Sequence, residues 1–175
     1  MFEHGRTYKL VNAKAGNVLD LSGSDNRSLI GYGWHGGHNQ QWHLHHEDGG
    51  WVLRNRETGR YLGIEGEARD GTPVIAVEEP FRWHIVADEE DTSTFRLFVP
   101  NTHYNLDLSD HGNPTPGTPV TLWGKWHPGK NQTWRFEEDT CQMVLCKQNQ
   151  QLYRDLYEEE ITTYLCTIIF DRPEY

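Results

Sequence analysis

Two nine-residue stretches of the chain concentrate side chains that could bind a ligand or a metal. The first, WHGGHNQQW, covers residues 34–42, and the second, WHPGKNQTW, covers residues 126–134. The first stretch combines two indoles, two imidazoles and three amides, with no residue that is charged at neutral pH. Such a set is compatible with a metal site, a ligand pocket, or a tight loop that leads into a buried strand.

A metal site depends on the histidines at positions 35, 38, 43, 45 and 46. On a strand, His43 and His45 point to the same side, so two imidazoles could share a transition metal. No paired cysteine and no helical HExxH motif completes such a site. The pattern therefore favours a solvated polar face, and we expect no metal and no other cofactor.

The sequence also lacks a recognisable catalytic motif. Many carboxylates are present, but neither spacing nor apolar surroundings single out a pair as general acid and base. No GxSxG motif occurs, and the three cysteines (Cys141, Cys146 and Cys166) lie close to the end of the chain. An odd number of cysteines without a CxxC pair is typical of a reduced, intracellular protein. We expect a protein without enzymatic activity.

Charge and hydropathy restrict the partners and the location. The 175 residues carry a formal net charge of −10, which argues against nucleic acid or an anionic membrane as the main partner. No apolar run reaches the length of a membrane span, and the first residues lack the basic and apolar regions of a secretion signal. These features predict a cytoplasmic protein without membrane insertion, which could leave the cell by a non-classical route.

Three repeats of about forty residues organise the chain. They start near residues 8, 51 and 95, and they cover approximately residues 6–46, 50–87 and 94–137. Each repeat ends at a tryptophan: Trp42, Trp83 or Trp134. Leucine or isoleucine alternates with other residues on an early strand of each repeat, as in VLDLS (18–22), YLGIE (61–65) and NLDLS (105–109). We expect the three tryptophans in the core and about twelve short strands in a closed, pseudo-threefold barrel.

The repeat length, the threefold count and the Gln-x-Trp endings resemble the ricin-B type β-trefoil lectins. The stretches NAKAGNVLDLSG (12–23) and HGGHNQQW (35–42) resemble the intracellular lectins of mushrooms (basidiomycetes) in particular. The resemblance covers residues 6–137 and implies an all-β β-trefoil domain over residues 1–138. Residues 139–175 then form a C-terminal extension of unknown role.

The resemblance also implies a shallow sugar pocket in a repeat that keeps three side chains. These are an aspartate on the early strand, an aromatic residue on the following loop, and an asparagine before Gln-x-Trp. A carboxylate accepts hydrogen bonds from sugar hydroxyls, an amide both donates and accepts, and an aromatic face covers the apolar side of a pyranose. Repeats 1 and 3 keep the complete set, which is Asp20, Trp34 and Asn39, and Asp107, Trp126 and Asn131.

Several neighbouring residues could take part in these pockets. Trp123 competes with Trp126 for the stacking role in repeat 3, and Tyr32 or His35 competes with Trp34 in repeat 1. Gln40 and Gln132 could contact the sugar or only support the loop. Each aspartate could instead be a solvated strand residue, each asparagine could satisfy its own loop, and each indole could fasten the loop to the barrel. The role of His35 cannot be assigned from the sequence.

Repeat 2 has lost the whole set at once. Gly63 replaces the aspartate, and Pro80-Phe81-Arg82-Trp83 replaces Asn-Gln-x-Trp. Because Trp83 is retained, the comparison separates residues that the barrel needs from residues that only some repeats keep. We therefore predict a non-enzymatic lectin with sites in repeats 1 and 3, for glycans with galactose/GalNAc- or mannose-type residues on glycoproteins or glycolipids. The alternative is a trefoil that binds a protein, as a protease inhibitor or as an accessory subunit of an enzyme such as tyrosinase.

The last part of the chain fits no further repeat. Residues 142–160 are polar and could form a helix, and residues 162–170 are an apolar, β-branched run. Such a run packs on the domain, pairs with another chain or aggregates, so a homodimer is one expectation.

Overall fold

A computed structural model describes residues 2–138, which form an all-β fold of twelve strands. The strands are β1 (Arg6–Asn12), β2 (Val18–Leu21), β3 (Leu29–Tyr32), β4 (Trp42–Glu47), β5 (Gly50–Asn55), β6 (Tyr61–Gly63), β7 (Ile75–Val77), β8 (His84–Ala87), β9 (Phe95–Phe98), β10 (Tyr104–Leu108), β11 (Thr118–Gly124) and β12 (Trp134–Glu138). Short 3₁₀ turns cover His38–Gln40 and Lys130–Gln132, and a tight turn covers Ser109–Gly112. The helix and the apolar run predicted in residues 139–175, and the three cysteines, lie outside the described residues.

Six strands close into a barrel. Strand β1 pairs with β4 and with β12, and further antiparallel contacts run from β4 to β5 and from β8 through β9 to β12. An isolated bridge between Trp51 and Trp83 connects β5 to the start of β8. Closure leaves this ring of strands without a free edge.

The other six strands form three hairpins, β2–β3, β6–β7 and β10–β11, which cap one end of the barrel. Bridges link the hairpins in a triangle: Gly31 with Thr118, Ser28 with Ile75, and Pro73 with Thr121. A six-stranded barrel with a triangular hairpin cap is the β-trefoil, so the predicted fold class is confirmed. Among residues 2–138, no helix is long and apolar enough to cross a membrane.

The three repeat-ending tryptophans anchor the core in the same way. All three are completely buried, and each donates its indole N–H to a backbone carbonyl of its own repeat. The pairs are Trp42 with Leu19 (3.1 Å), Trp83 with Leu62 (2.8 Å) and Trp134 with Leu106 (3.2 Å). A buried indole N–H needs a hydrogen-bond acceptor, and every repeat supplies the same kind of backbone carbonyl. This shared contact explains why every repeat ends at tryptophan. This confirms the prediction that the tryptophans are core residues.

The N-terminal Phe2 packs on an aromatic cluster of the barrel. Its ring centroid lies 4.9 Å from Trp51, 4.9 Å from Phe95 and 4.8 Å from Phe136. Trp51 and Phe95 are equivalent first residues of repeats 2 and 3, and Tyr8, the first residue of repeat 1, contacts Phe136 at 5.9 Å. Phe2 therefore brings the starts of different repeats together.

The predicted histidine face lies on β4. The rings of His43 and His45 are 4.5 Å apart on one side of the strand, and His4 contacts His45 at 5.5 Å. Within residues 2–138, no group of three or more His, Cys, Asp or Glu side chains has a geometry that could hold a metal ion.

Candidate functional site

Repeat 3 places a buried carboxylate beneath two amides, and we call this arrangement site 3. Strand β10 carries Asp107 opposite Thr121 of β11. The 3₁₀ turn at residues 130–132 lays Asn131 and Gln132 over the carboxylate, and each side-chain amide donates to Asp107 Oδ2 at 2.9 Å. Both bonds end on Oδ2, so among the described residues Oδ1 is left to accept a hydrogen bond from a ligand.

An open depression of about 310 Å³ lies above this carboxylate. Trp123 and Trp126 form its aromatic sides and are 44% and 40% exposed. Asn131 is only 1% exposed, and its Oδ1 has no hydrogen-bond partner within the described part of the chain. A buried acceptor without a partner costs about 1–3 kcal/mol, so a ligand hydroxyl that donates to Asn131 would recover that energy.

Burial changes the acidity of the central carboxyl group. It raises the pKa of Asp107 to about 6, even though Gln132, Asn131 and the nearby His111 favour the ionised form. Asp107 is therefore ionised at neutral pH and protonated in mildly acidic solution.

The rim of site 3 is a strained turn. Asp110 and His111 both have left-handed backbone angles, with φ of 52° and 53°, followed by Gly112 at 75°. A Cβ on Gly112 would lie 2.8 Å from Cβ of Asn131, so the turn needs glycine both for its backbone angle and for its close contact with the site. This turn is what brings Asp110 and His111 to the depression.

Repeat 1 contains a related arrangement, which we call site 1. Gln40 Nε2 donates to Asp20 Oδ2 and to the Gly33 carbonyl, both at 2.8 Å. Asn39 is half-buried, and its amide donates to the Leu21 carbonyl at 3.1 Å. The two asparagines therefore differ, because Asn131 is fully buried against its aspartate and Asn39 is accessible from solvent.

The structure places His35 beside the site 1 carboxylate. Its Nδ1 accepts a hydrogen bond from the Gly37 N–H at 3.1 Å, so the proton of the neutral ring belongs on Nε2. That Nε2 lies 3.5 Å from Asp20 Oδ2. Burial raises the pKa of Asp20, while Gln40 and His35 favour its ionised form. In site 3, the corresponding His127 instead lies 3.9 Å from Glu89 and from Glu90, and His111 supplies the imidazole of the depression.

Equivalent strand positions support the two loops by different chemistry. In repeat 1, Lys9 Nζ lies 4.8 Å from the ring centroid of Trp34, and Trp34 is 42% exposed. In repeat 3, the buried Arg96 donates to Gln132 Oε1 at 2.9 Å and to the Pro128 carbonyl at 3.1 Å. Arg96 also pairs with Asp88 at 2.7 Å. Burial alone would raise the pKa of Asp88, but Arg96 and backbone N–H groups outweigh it and lower that pKa.

The loop amides cover both predicted aspartates, and the two glutamines that could contact sugar or only support the loop are buried. Asp20 and Asp107 do lie opposite the core leucines, but they are only 3% and 4% exposed because the loop amides cover them. Gln40 and Gln132 have no exposed surface. Both glutamines therefore orient the carboxylate and close the loop rather than reach into solvent.

Repeat 2 has filled the corresponding space. Phe81 stands at the position of Gln40 and Gln132, two residues before the core tryptophan. A Cβ on Gly63 would lie 2.9 Å from Cβ of Phe81 and 2.7 Å from a methyl of Val77. The phenyl group therefore replaces the carboxylate–amide pair with apolar packing.

Three contributors to the sites were not identified from the sequence. Arg96 was detectable, because it aligns with Lys9 in repeat 1 and with the apolar Val52 in repeat 2. Asp110 and His111 gave no local signal, because their position depends on two consecutive left-handed residues.

Comparison with known proteins assigns the chain to a family. A family described as "Ricin-type beta-trefoil lectin domain-like" matches residues 2–77 and 75–123. The chain belongs to the ricin-type β-trefoil lectins. A ricin B-like lectin of Macrolepiota procera, solved with lactose, is 53% identical over 78% of this chain and 98% of its own, with a TM-score of 0.77. The Rhizoctonia solani agglutinin is 28% identical over 79% and 99%, with a TM-score of 0.69. No curated protein sequence matches the chain.

These similarities confirm the predicted resemblance to mushroom ricin-B type lectins. The protein is a carbohydrate-binding lectin.

Proposed function

We propose that this lectin binds galactose-type glycans reversibly and without catalysis, through site 1 and site 3. The observation that carries the proposal is the pair Asp107 and Asn131. Each of these buried residues has an oxygen without a partner among the described residues, and both face a depression between two exposed indoles. Two acceptors beside an aromatic face match a pyranose that has adjacent hydroxyls and an apolar side.

The choice of galactose over the mannose-type alternative follows from the relatives. The Macrolepiota procera lectin, at 53% identity, is described in complex with lactose. Lactose carries a terminal galactose, so a galactose-type ligand is the first candidate for this chain. A single sugar in such an open site is expected to bind with a Kd of about 0.1–1 mM. Two sites on one rigid domain would then bind clustered glycans more tightly through their effective concentration.

A glycan array at pH 7.5 tests the proposal, because Asp107 is ionised at that pH. We expect the wild type to bind galactose-terminated glycans and the Asp20→Ala/Asp107→Ala double variant to lose this binding while it stays folded. Each single variant should retain its other site with weaker binding to clustered glycans. Glu67→Ala removes an exposed carboxylate in the β6–β7 connection and serves as the matched control.

Two results of the array would contradict all or part of the proposal. A wild type that binds no glycan even at high protein density, but captures a protease or another protein, would support the protein-binding alternative. Binding to mannose-terminated glycans alone would agree with the two proposed sites but contradict the proposed galactose-type ligand.

A further inference from the structure

A second depression of about 460 Å³ lies in the hairpin cap, on the pseudo-threefold axis. Its walls contain two sets of equivalent residues, one member from each hairpin. The first set comprises Ile30, Ile75 and Thr121, which lie opposite Asp20, Gly63 and Asp107 in their hairpins. The second set lies two residues earlier and comprises Ser28, Pro73 and Pro119. We call this the axial depression.

Thr121 lines both the axial depression and site 3. On strand β11, Pro119, Thr121 and Trp123 share one face, because alternate residues of a strand point the same way. The intervening Val120 and Leu122 are buried in the core. Pro119 borders the axial depression and Trp123 borders site 3, so this face of β11 connects them over about 13 Å.

Only the repeat 3 hairpin carries a hydroxyl group at the position of Thr121. Thr121 Oγ1 accepts a hydrogen bond from Trp123 Nε1 at 3.1 Å and lies 2.8 Å from the Ser109 hydroxyl. The equivalent residues in the other hairpins are Ile30 and Ile75. In repeat 2, the corresponding path ends at the space that Phe81 fills. Site 3 therefore shares a lining residue with the axial depression, and that residue, Thr121, offers a hydroxyl group to a ligand.

We propose that site 3 and the axial depression form one groove for a neutral oligosaccharide of three or more residues. This inference rests on the proposed function, because one sugar must be held at Asp107 and Asn131. The second sugar lies across Thr121, and the sugars beyond it place their apolar faces or acetamido methyl groups against the proline and isoleucine side chains. Asp110 at one end and Asp25 at the other disfavour anionic glycans.

The size and shape of the groove support an extended ligand. Each depression alone has the volume of a small-molecule site, and both are preformed in the folded cap. Additional contacts on a preformed surface add affinity without a cost for ordering the protein. Affinity at site 3 should therefore increase with glycan length, beyond what the terminal sugar provides.

Calorimetric titration of the Asp20→Ala variant at pH 7.5 isolates site 3. The probes are lactose and lacto-N-neotetraose, which both end in one galactose. We expect the tetrasaccharide to bind about tenfold more tightly than lactose, equivalent to about 1.4 kcal/mol. Adding Pro119→Trp, which places a bulky ring over the axial depression, should remove this gain and leave lactose affinity unchanged. Glu57→Trp, on an exposed turn in repeat 2, controls for the added indole.

The outcomes separate the two proposals. Equal affinities for both probes, or a gain that survives Pro119→Trp, would overturn the extended groove and leave the sugar site intact. Binding of both probes to the wild type but of neither to the folded Asp20→Ala variant would overturn site 3 itself. Binding of neither probe to any variant would overturn the galactose-type function proposed above.

Discussion

The Cβ of Phe81 lies 2.9 Å from the point where a Cβ on Gly63 would stand. Repeat 2 has therefore exchanged its carboxylate and glutamine for glycine and phenylalanine as a matched pair. The missing side chain at one position makes room for the larger one at the other. This complementarity makes the effects of substitution at the two positions interdependent.

A double-mutant cycle measures that dependence. We expect Gly63→Ala to destabilise the lectin by about 1–3 kcal/mol, since its methyl group overlaps Phe81 and Val77. In a Phe81→Gly background, which lacks both the Cβ and the ring, the same change should cost less. Urea unfolding of the four proteins gives the coupling energy. Gly23→Ala is the control, because a Cβ there would meet nothing within 4 Å. A cost for Gly63→Ala that is the same in both backgrounds would contradict the filled-space explanation.

Asp107→Asn should stabilise the domain at neutral pH and weaken sugar binding. The folded-state pKa of about 6 lies above the ordinary value, so the folded protein holds the proton more tightly than the unfolded chain. The protonated carboxyl group therefore stabilises the folded state fully below about pH 4, and this stabilisation is lost as the pH rises through 6. At pH 7.5, the gain from Asn could reach about 3 kcal/mol. Urea unfolding should show this gain shrinking towards pH 4. A variant that is less stable than wild type at pH 7.5 would contradict this account.

Sugar binding at site 3 should fall as the solution is acidified. Protonation of Asp107 removes a charged acceptor, so lactose affinity of the Asp20→Ala variant should decrease as pH falls from 7.5 to 5, with a midpoint near the pKa of about 6. Titrations at several pH values test this, and circular dichroism at each pH checks that the protein stays folded. A constant affinity across this range would show that the charge of Asp107 does not contribute to binding.

Arg96→Met should damage site 3 and spare site 1. The substitution leaves Asp88 buried without its 2.7 Å partner, a change that typically costs about 3–5 kcal/mol. It also removes the donors to Gln132 and to the Pro128 carbonyl, so the loop beneath the sugar loses its support. Lactose titration of Arg96→Met in the Asp20→Ala and Asp107→Ala backgrounds distinguishes the sites. Lys9→Met removes the equivalent cation of site 1, so it should weaken site 1 and spare site 3. The loss of stability should be smaller, because Lys9 is partly exposed.

Phe2→Ala should loosen the aromatic cluster at the starts of the repeats. Phe2 lies within 5 Å of three other rings and is half-buried, so we expect a loss of about 1–3 kcal/mol in the free energy of unfolding. Glu3→Ala, the neighbouring exposed position, provides the control. A neutral effect of Phe2→Ala would show that the cluster is stable without it.

The barrel was predictable because its constraints recur three times. Each repeat ends at a buried tryptophan, and each early strand carries leucine or isoleucine at positions two residues apart, which indicates the same packing in every copy. The three repeats can therefore be compared with one another within a single sequence. Gly63 and Phe81 identify repeat 2 as the copy that has lost the site residues. The same comparison selected Asp20, Asp107, Asn39 and Asn131, whose direct contact with sugar stays a prediction.

The details of the sites depended on contacts that periodicity does not encode. His35 lies beside Asp20 with its ring accepting a hydrogen bond from Gly37, and His111 lines site 3 from a left-handed stretch of backbone. The buried Gln132 accepts a hydrogen bond from Arg96, which is 36 residues away in the chain. The axial depression requires one residue from each hairpin, so no single repeat predicts it.

The barrel is closed by the pairing of β1 with β12, which aligns Tyr8 with Glu138 and Asn12 with Trp134. Strand β1 is synthesised well before β12, so hairpins of the cap can form while β1 still lacks that partner. Folding of this lectin is therefore governed by a very distant contact, which predicts slow barrel closure. During that interval β1 has an unpaired edge, which is available for pairing with another copy.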